Sequence, residues 1–214
     1  MKDRLKLGVL ASGRGSNLQA IMDAIDAGTL DARIEVVVSN TKGCRALQRA
    51  RERGIRTESV TRKECGGRRP QLLNITQILK EAGVDLVIYA GFNLVGPPEM
   101  TEAFPNRMIN IHPSLLPAFA GGMAPRPQAD AVERGVKYSG CTVHVITDEV
   151  DAGPIIAQAV VPVLEDDDAD SLSERILAEE HKLLPRVIQW YAEGRVHIEG
   201  RRVRVAEPVS AGRG

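Results

Sequence analysis

Apolar residues in the first half of the chain alternate between short continuous runs and helically spaced positions. A continuous run from Leu5 to Ala11 leads into a Gly/Ser loop, and apolar residues then recur at helical spacing from Leu18 to Ile25. The same alternation predicts further strands at 33–39, 56–60, 84–90 and 107–111, and helices at 44–53 and from 69 or 70 to 82. Continuous apolar strands separated by helices predict an α/β fold, a Rossmann-like, mostly parallel sheet flanked by helices.

The second half of the chain carries a different pattern. After a helix predicted from Pro127 to Arg134, runs rich in Val, Ile and Thr at 138–147 and 155–163 are joined by a short turn, which predicts antiparallel strands. The pattern Ser171-x-x-Glu174 is typical of a capping box and predicts the start of a long amphipathic helix, which Pro185 is expected to kink or divide. A small hairpin is predicted at 196–205.

Composition narrows the class of protein. The 214 residues contain no obvious linker, so we expect a single domain spanning 1–214. Lys plus Arg and Asp plus Glu number 28 each, which gives no indication of a nucleic-acid partner. The three cysteines form no CxxC pair, and no apolar stretch is long enough to span a bilayer. We therefore expect a soluble cytoplasmic protein without membrane contact, either a monomer or a homodimer, that binds small molecules.

The loop after the first predicted strand has the features of an anion site. Ser12-Gly13-Arg14-Gly15-Ser16-Asn17 places free backbone N–H groups and a hydroxyl at the start of a helix, where a phosphate is stabilised. The third glycine of a dinucleotide fingerprint and the Gly-Lys-Ser/Thr of a P-loop are both missing. The loop is thus interpreted as a site for one terminal phosphate, with a ligand-free glycine turn as the alternative.

A second candidate site lies in Asn110-Ile111-His112-Pro113, where another apolar strand ends. Side chains at i and i+2 share a face of a strand, so the amide of Asn110 and the imidazole of His112 lie side by side. An amide that hydrogen-bonds an oxyanion and an imidazole that carries a proton are suited to acyl transfer, although a single His is more often structural. Asp151, in the turn between the predicted antiparallel strands, is expected to raise the pKa of His112.

Other chemistry has less support in the sequence. No GxSxG motif and no plausible Cys nucleophile accompany His112, so direct attack by a substrate amine is favoured over an acyl-enzyme. His144 lies inside a predicted strand, where a structural or supporting role is favoured. No His, Cys or carboxylate spacing is typical of a metal site, so no metal is predicted.

The motifs together resemble the phosphoribosylglycinamide formyltransferase family. The segments GVLASGRGSNLQAI, INIHPSLLPAF and GCTVHVITDEVDAGPIIAQ and the pair Glu180-His181 carry the resemblance, which runs from about Leu5 to Trp190. It implies a transferase of purine biosynthesis that uses 10-formyltetrahydrofolate as co-substrate to formylate the amine of 5-phosphoribosylglycinamide (glycinamide ribonucleotide). It also implies a phosphate-binding half at about 1–100 and a folate and catalytic half at about 101–206.

The resemblance assigns roles residue by residue. The implied catalytic residues are Asn110, His112 and Asp151. The implied substrate-binding residues are Gly15, Ser16, Asn17, Leu177 and Glu180. The implied residues for the folate are Arg68, Asn93, Leu94, Val95, Gly96, Asn110, Thr147, Asp148, Glu149, Val150 and Asp151.

This chain departs from the family at three places. It has Ala90-Gly91-Phe92-Asn93-Leu94-Val95-Gly96 where the family usually reads AGFMRIL, and Leu177 replaces a polar partner on the last helix. The loop at 120–126 is longer and richer in glycine than usual. Alternatives are a formyltetrahydrofolate deformylase, a formyltransferase acting on another amine, a methionyl-tRNA formyltransferase and a non-enzymatic nucleotide-binding module. Neutral charge and the lack of a tRNA-binding domain disfavour the tRNA enzyme.

Overall fold

The computed structural model describes residues 3–207 and contains one seven-stranded sheet and a separate hairpin. The sheet order is β3-β2-β1-β4-β5-β6-β7, and β8 pairs with β9. The strands are β1 (Leu5–Leu10), β2 (Ala32–Ser39), β3 (Thr57–Ser59), β4 (Leu86–Tyr89), β5 (Met108–His112), β6 (Tyr138–Val145), β7 (Ile155–Pro162), β8 (Val196–Glu199) and β9 (Arg202–Val205).

Helices cover both faces of the large sheet. They are α1 (Ser16–Asp26), α2 (Arg45–Glu52), α3 (Arg68–Glu81), α4 (Pro98–Ala103), α5 (Arg126–Glu133) and α6 (Ala169–Ala192). One core cluster joins one sheet face to α1, α2, α5 and α6, and a second joins the opposite face to α3 and α4. Burial on both faces explains the continuous apolar strands. The predicted α/β class and flanking helices are confirmed.

Six strands of the sheet share one direction, and β6 runs opposite to them. Strands β3, β2, β1, β4 and β5 are parallel, whereas β6 is antiparallel to β5 and to β7. The carboxyl ends of β1, β4 and β5 therefore lie at one edge. Strand β6 runs away from that edge and ends beside Ile109, so the turn after β6 has to fold back along β5 before Asp151 reaches His112. Ligands of such sheets bind outside the carboxyl ends of the strands.

The expected start of the last helix and its expected division at Pro185 are both wrong. The N-cap of the helix is Asp168, and Ser171 is the third helical residue. The Asp168 carboxylate accepts from the Ser171 N–H (2.8 Å), and the Ser171 hydroxyl accepts from the Asp168 N–H (3.0 Å). The helix also continues through Pro185 without division. Pro185 is buried where α6 packs against α1, β6 and β7, and this packing overrides the local cost of proline.

Two further points complete the architecture. Helix α4 was not predicted, because its six residues are too few to show helical periodicity. Within residues 3–207, no helix is both long and apolar enough to cross a membrane.

Candidate active site

A cavity of about 510 Å³ opens at the carboxyl edge of the parallel strands. Loops after β1, β4 and β5, the turn between β6 and β7, and one face of α6 line it. The glycine loop and the predicted catalytic residues thus line one continuous cavity. Convergence of loops from separate strands is the arrangement that binding sites of this fold class use.

His112 and Asp151 form a buried pair in this cavity. The Nδ1 atom of His112 lies 3.3 Å from Oδ2 of Asp151, and only 3% of the His112 side chain is exposed. The other ring nitrogen, Nε2, lies 3.2 Å from the carbonyl oxygen of Phe119. Both ring nitrogens therefore face oxygen acceptors. The protonated ring can donate a hydrogen bond to each of them, whereas the neutral ring can donate only one.

Burial has the larger effect on the charge of His112. Removal from water lowers the pKa of the imidazole below its ordinary value, although the Asp151 carboxylate and the Phe119 carbonyl oppose this shift. The expected direction of the Asp151 effect is confirmed, because its carboxylate raises the pKa of His112, but this gain does not offset the loss of solvent and the net pKa is lowered. The neutral ring is favoured in the free protein at neutral pH.

Asp151 keeps its negative charge despite its position. Burial raises the pKa of its carboxyl, but His144, the Gly121 N–H and His112 together lower it below the ordinary value. The Gly121 N–H donates to Oδ2 at 2.8 Å, so the glycine-rich loop after Phe119 contacts both members of the pair. Charge-assisted bonds of this kind hold the carboxylate in place.

His144 adds a second imidazole to the pair. It lies opposite Asn110 in the register of β5 and β6, and the two side chains approach to 3.1 Å between Asn110 Nδ2 and His144 Nε2. The Nε2 atom is also 3.5 Å from Oδ1 of Asp151, and Nδ1 lies 3.0 Å from the Val145 carbonyl oxygen. The sequence predicts a supporting role for His144 but not its contact with Asn110. The antiparallel pairing of β5 with β6 is the signal that could have placed the two side chains together.

The turn between β6 and β7 has a backbone that few residues tolerate. Asp151 itself has a left-handed φ of 53°. A Cβ added to Gly153 would lie 1.8 Å from the Val145 carbonyl oxygen, so any larger residue must displace the backbone at Gly153 or at Val145. These constraints fix where the carboxylate of Asp151 enters the cavity.

Hydrogen bonds behind His112 hold the chain that leaves β5. The buried hydroxyl of Thr142 donates to the Ser114 carbonyl at 2.7 Å and accepts from the Leu116 N–H at 3.0 Å. The side chain of Gln158 donates to the Thr142 hydroxyl at 2.9 Å and to the Leu116 carbonyl at 3.1 Å. Strands β6 and β7 therefore anchor the loop that positions His112.

The glycine loop lines the same cavity. Gly15 has a left-handed φ of 71° and lies so close to α2 that an added Cβ would be 2.7 Å from Ala46 Cα. Ser16 and Asn17 follow at the start of α1, and Nδ2 of Asn17 donates to Oε2 of Glu180 at 2.8 Å. Burial raises the pKa of Glu180 to about 7, and the Asn17 bond only partly opposes it.

The remaining predicted residues divide into two groups. Leu94, Val95, Gly96, Thr147, Glu149, Val150 and Leu177 line the cavity, as does Asn93. The Asn93 side chain is held within the protein, because its Oδ1 accepts from Ser12 (3.0 Å) and Asn40 (2.8 Å). Asp148 is absent from the lining and accepts from Thr101 at 2.6 Å. Arg68 lies exposed at the start of α3, away from the lining.

Two other kinds of chemistry find little support at the site. Burial raises the pKa of the Cys141 thiol to about 12, which disfavours a thiolate nucleophile. Among the residues that the structure describes, no group of three or more His, Cys, Asp or Glu side chains is arranged to hold a metal ion.

Comparison with known proteins gives one consistent family. The model of the formyl transferase family matches residues 5–188. Phosphoribosylglycinamide formyltransferase of Escherichia coli is 37% identical over 192 residues, which cover 90% of this chain and 89% of that protein. The trifunctional purine biosynthetic protein adenosine-3 of Drosophila melanogaster is 42% identical over 193 residues, and these cover 89% of this chain but only 14% of that protein.

Solved structures agree with this grouping. Glycinamide ribonucleotide transformylase 1 from Symbiobacterium toebii superposes with a TM-score of 0.92 at 46% identity, covering 97% of this chain and 96% of that one. A formyltetrahydrofolate deformylase from Pseudomonas syringae superposes with a TM-score of 0.88 at 27% identity, covering 95% of this chain and 66% of that one. The deformylase is thus the more distant of the two.

Proposed function

Because the chain belongs to the formyl transferase family, we propose that it transfers the formyl group of 10-formyltetrahydrofolate to the amine of 5-phosphoribosylglycinamide in de novo purine synthesis. The observation that carries the proposal is the single cavity lined by both the glycine loop and the His112–Asp151 pair. The glycine loop suits a phosphate and the His112–Asp151 pair suits acyl transfer, which matches a phosphorylated amine that is formylated.

The proposed reaction needs no covalent enzyme intermediate. The amine nitrogen attacks the formyl carbon, and the carbonyl oxygen takes up negative charge as a tetrahedral intermediate forms. The bond from this carbon to N10 of the folate then breaks, N10 takes up a proton, and the proton lost by the attacking amine leaves by way of water. Binding both substrates in one cavity converts a bimolecular encounter into a step between positioned groups.

Asn110 and His112 are the proposed donors to the developing oxyanion. In the free protein the Asn110 amide contacts His144 and Nε2 of His112 faces the Phe119 carbonyl, so the oxyanion would replace or share these partners when it forms. A developing anion beside His112 favours the protonated ring, which opposes the effect of burial on its pKa. Asp151 stabilises that cation through Nδ1.

The other residues are proposed to bind the two substrates. The phosphate would accept from the backbone N–H groups and hydroxyl at Gly15, Ser16 and Asn17. Asn17 and Glu180 would contact the ribose hydroxyls, since both side chains are polar and buried at the cavity wall. The loops at 93–96 and 147–151 would hold the folate, largely through apolar side chains and backbone groups.

A comparison with and without the amine tests the proposal. Purified protein is incubated with 10-formyltetrahydrofolate, and release of tetrahydrofolate is followed in the presence and absence of 5-phosphoribosylglycinamide. We expect release that depends on the amine, together with formation of the formylated product. Equal release in the absence of amine would indicate a deformylase, and no release with this amine but turnover with another would indicate a different acceptor.

A further inference from the structure

The part of the cavity around the glycine loop, where the phosphate is proposed to bind, contains one cationic side chain to which no motif assigns a role. Of the described residues that line the cavity, Arg14 is the only Lys or Arg. Within the described part of the chain its guanidinium makes no hydrogen bond and no ion pair, and the residue is exposed. An arginine beside a predicted anion site, with all of its donors free, is available to a ligand.

The backbone that carries Arg14 is held firmly. Its carbonyl oxygen accepts from Nε of Arg49 at 3.1 Å, and the carbonyl of Gly13 accepts from the Ala46 N–H at 3.0 Å. On the other side, Gly15 lies against Ala46 in a left-handed conformation that excludes a side chain. Only the side chain of Arg14 is therefore free to move, and its origin at the cavity rim is fixed.

The charge balance in this part of the cavity favours a cationic ligand for the phosphate. A phosphate monoester carries close to two negative charges at neutral pH, whereas a helix N-terminus supplies about half a positive charge. The opposite wall offers Leu177, which has no charge, and Glu180, which repels an anion when ionised. Asn17 is 8% exposed and its amide nitrogen already donates to Glu180, so this side chain adds no positive charge either.

We propose that Arg14 is the charged ligand of the substrate phosphate and sets the preference for a phosphorylated amine. The inference rests on the proposed function for the identity of the substrate. The guanidinium closes over the phosphate from the rim while the backbone N–H groups of the glycine loop bind it from below. Two parallel N–H donors match two phosphate oxygens in a geometry that lysine does not reproduce.

Binding of inorganic phosphate, measured by calorimetry, tests Arg14 without any turnover. We expect Arg14→Ala to weaken phosphate binding about tenfold or more, and Arg14→Lys to weaken it less. Arg45→Ala is the matched control, because Arg45 carries the same charge next to the same loop but does not line the cavity. Equal weakening by Arg45→Ala, or unchanged binding in Arg14→Ala, would overturn the proposal.

Kinetics with two acceptors provide the second measurement. With 5-phosphoribosylglycinamide, Arg14→Ala should raise KM about tenfold while kcat changes far less. With the dephosphorylated acceptor, the difference between Arg14→Ala and the unmodified protein should disappear. The same loss with both acceptors would indicate a structural effect and contradict the proposal. Phosphate binding that depends on Arg14 in a protein without formyl transfer would refute the proposed function but retain the anion site.

Discussion

Two carboxyl groups line the cavity, the partly buried Asp151 and the buried Glu180, and their pKa values are shifted in opposite directions. Asp151 contacts a backbone N–H and two imidazoles, and its pKa is lowered. Glu180 contacts one neutral amide, and its pKa is raised to about 7. Burial raises the pKa of both groups, but Glu180 is more deeply buried than Asp151 and has fewer donors around it, so both factors contribute to the difference.

The comparison indicates a different task for each of the two carboxyl groups. Asp151 is a fixed negative charge that holds an imidazole, which is what stabilisation of a transient cation requires. Glu180 changes protonation near neutral pH, so it accepts or donates a hydrogen bond with little electrostatic cost, which suits contact with a neutral hydroxyl. Experiments on each carboxyl should therefore affect different quantities.

Removal of the fixed charge should have the largest effect. We expect Asp151→Asn to lower kcat about a hundredfold or more, because the amide no longer stabilises protonated His112 in the transition state. His112→Ala should be impaired at least as strongly. Steady-state kinetics with both substrates, and circular dichroism to establish folding, check this prediction. Turnover close to normal in either folded variant would contradict the role of the pair.

Glu180 should instead show its effect in stability. Its folded pKa of about 7 lies above its ordinary value of 4.5, so the folded state binds the proton more tightly and loses stability as pH rises through this window. Glu180→Gln removes the buried charge and retains an acceptor for Asn17. The variant should be more stable by up to about 3 kcal/mol at pH 8, with no gain near pH 4.

Denaturant unfolding across this pH range measures the effect. Glu179→Gln is the matched control, because Glu179 is the preceding residue on α6 and pairs with Lys182 at the surface. It should show no comparable gain at high pH. A pH-independent difference between Glu180→Gln and the unmodified protein would mean that the pKa of Glu180 is not raised.

His144 should have the smallest effect of the three. Its ring orients Asn110 and contributes to the low pKa of Asp151 without facing the proposed oxyanion. We expect His144→Gln to lower kcat about tenfold, since one supporting hydrogen bond is weakened. A kcat loss as large as that of Asp151→Asn would place His144 with the catalytic residues.

The parallel strands of the fold and the residues at their ends were predictable from the sequence, because runs of apolar residues and glycines mark them locally. The apolar runs and the glycine punctuation locate β1, α1, β4 and β5, and the topology of such sheets then brings residues 15–17 and 110–112 to one edge. The turn after β6 was also predictable, but β6 ends away from this edge, so the contact of Asp151 with His112 depends on how the turn folds back.

Other features depend on contacts that a linear pattern does not contain. The continuation of α6 through Pro185 follows from its packing, and the choice of Asp168 as cap depends on the exact residue at which the helix begins. The low pKa of His112 follows from the depth at which its ring is buried, which residue type alone does not predict. The Ser12–Asn40–Asn93 contacts need three strand ends in register.

The hydrogen bond from Asn17 to Glu180 has a consequence for folding. It joins residues 163 positions apart and connects the first helix of the chain to its longest, late helix. Contacts of such large sequence separation raise the contact order and form only after a long loop has closed. During synthesis the strands up to β7 emerge before α6 is complete, so a nascent chain has the anion loop but not the wall opposite it. Substrate binding in this part of the cavity therefore requires the docking of α6.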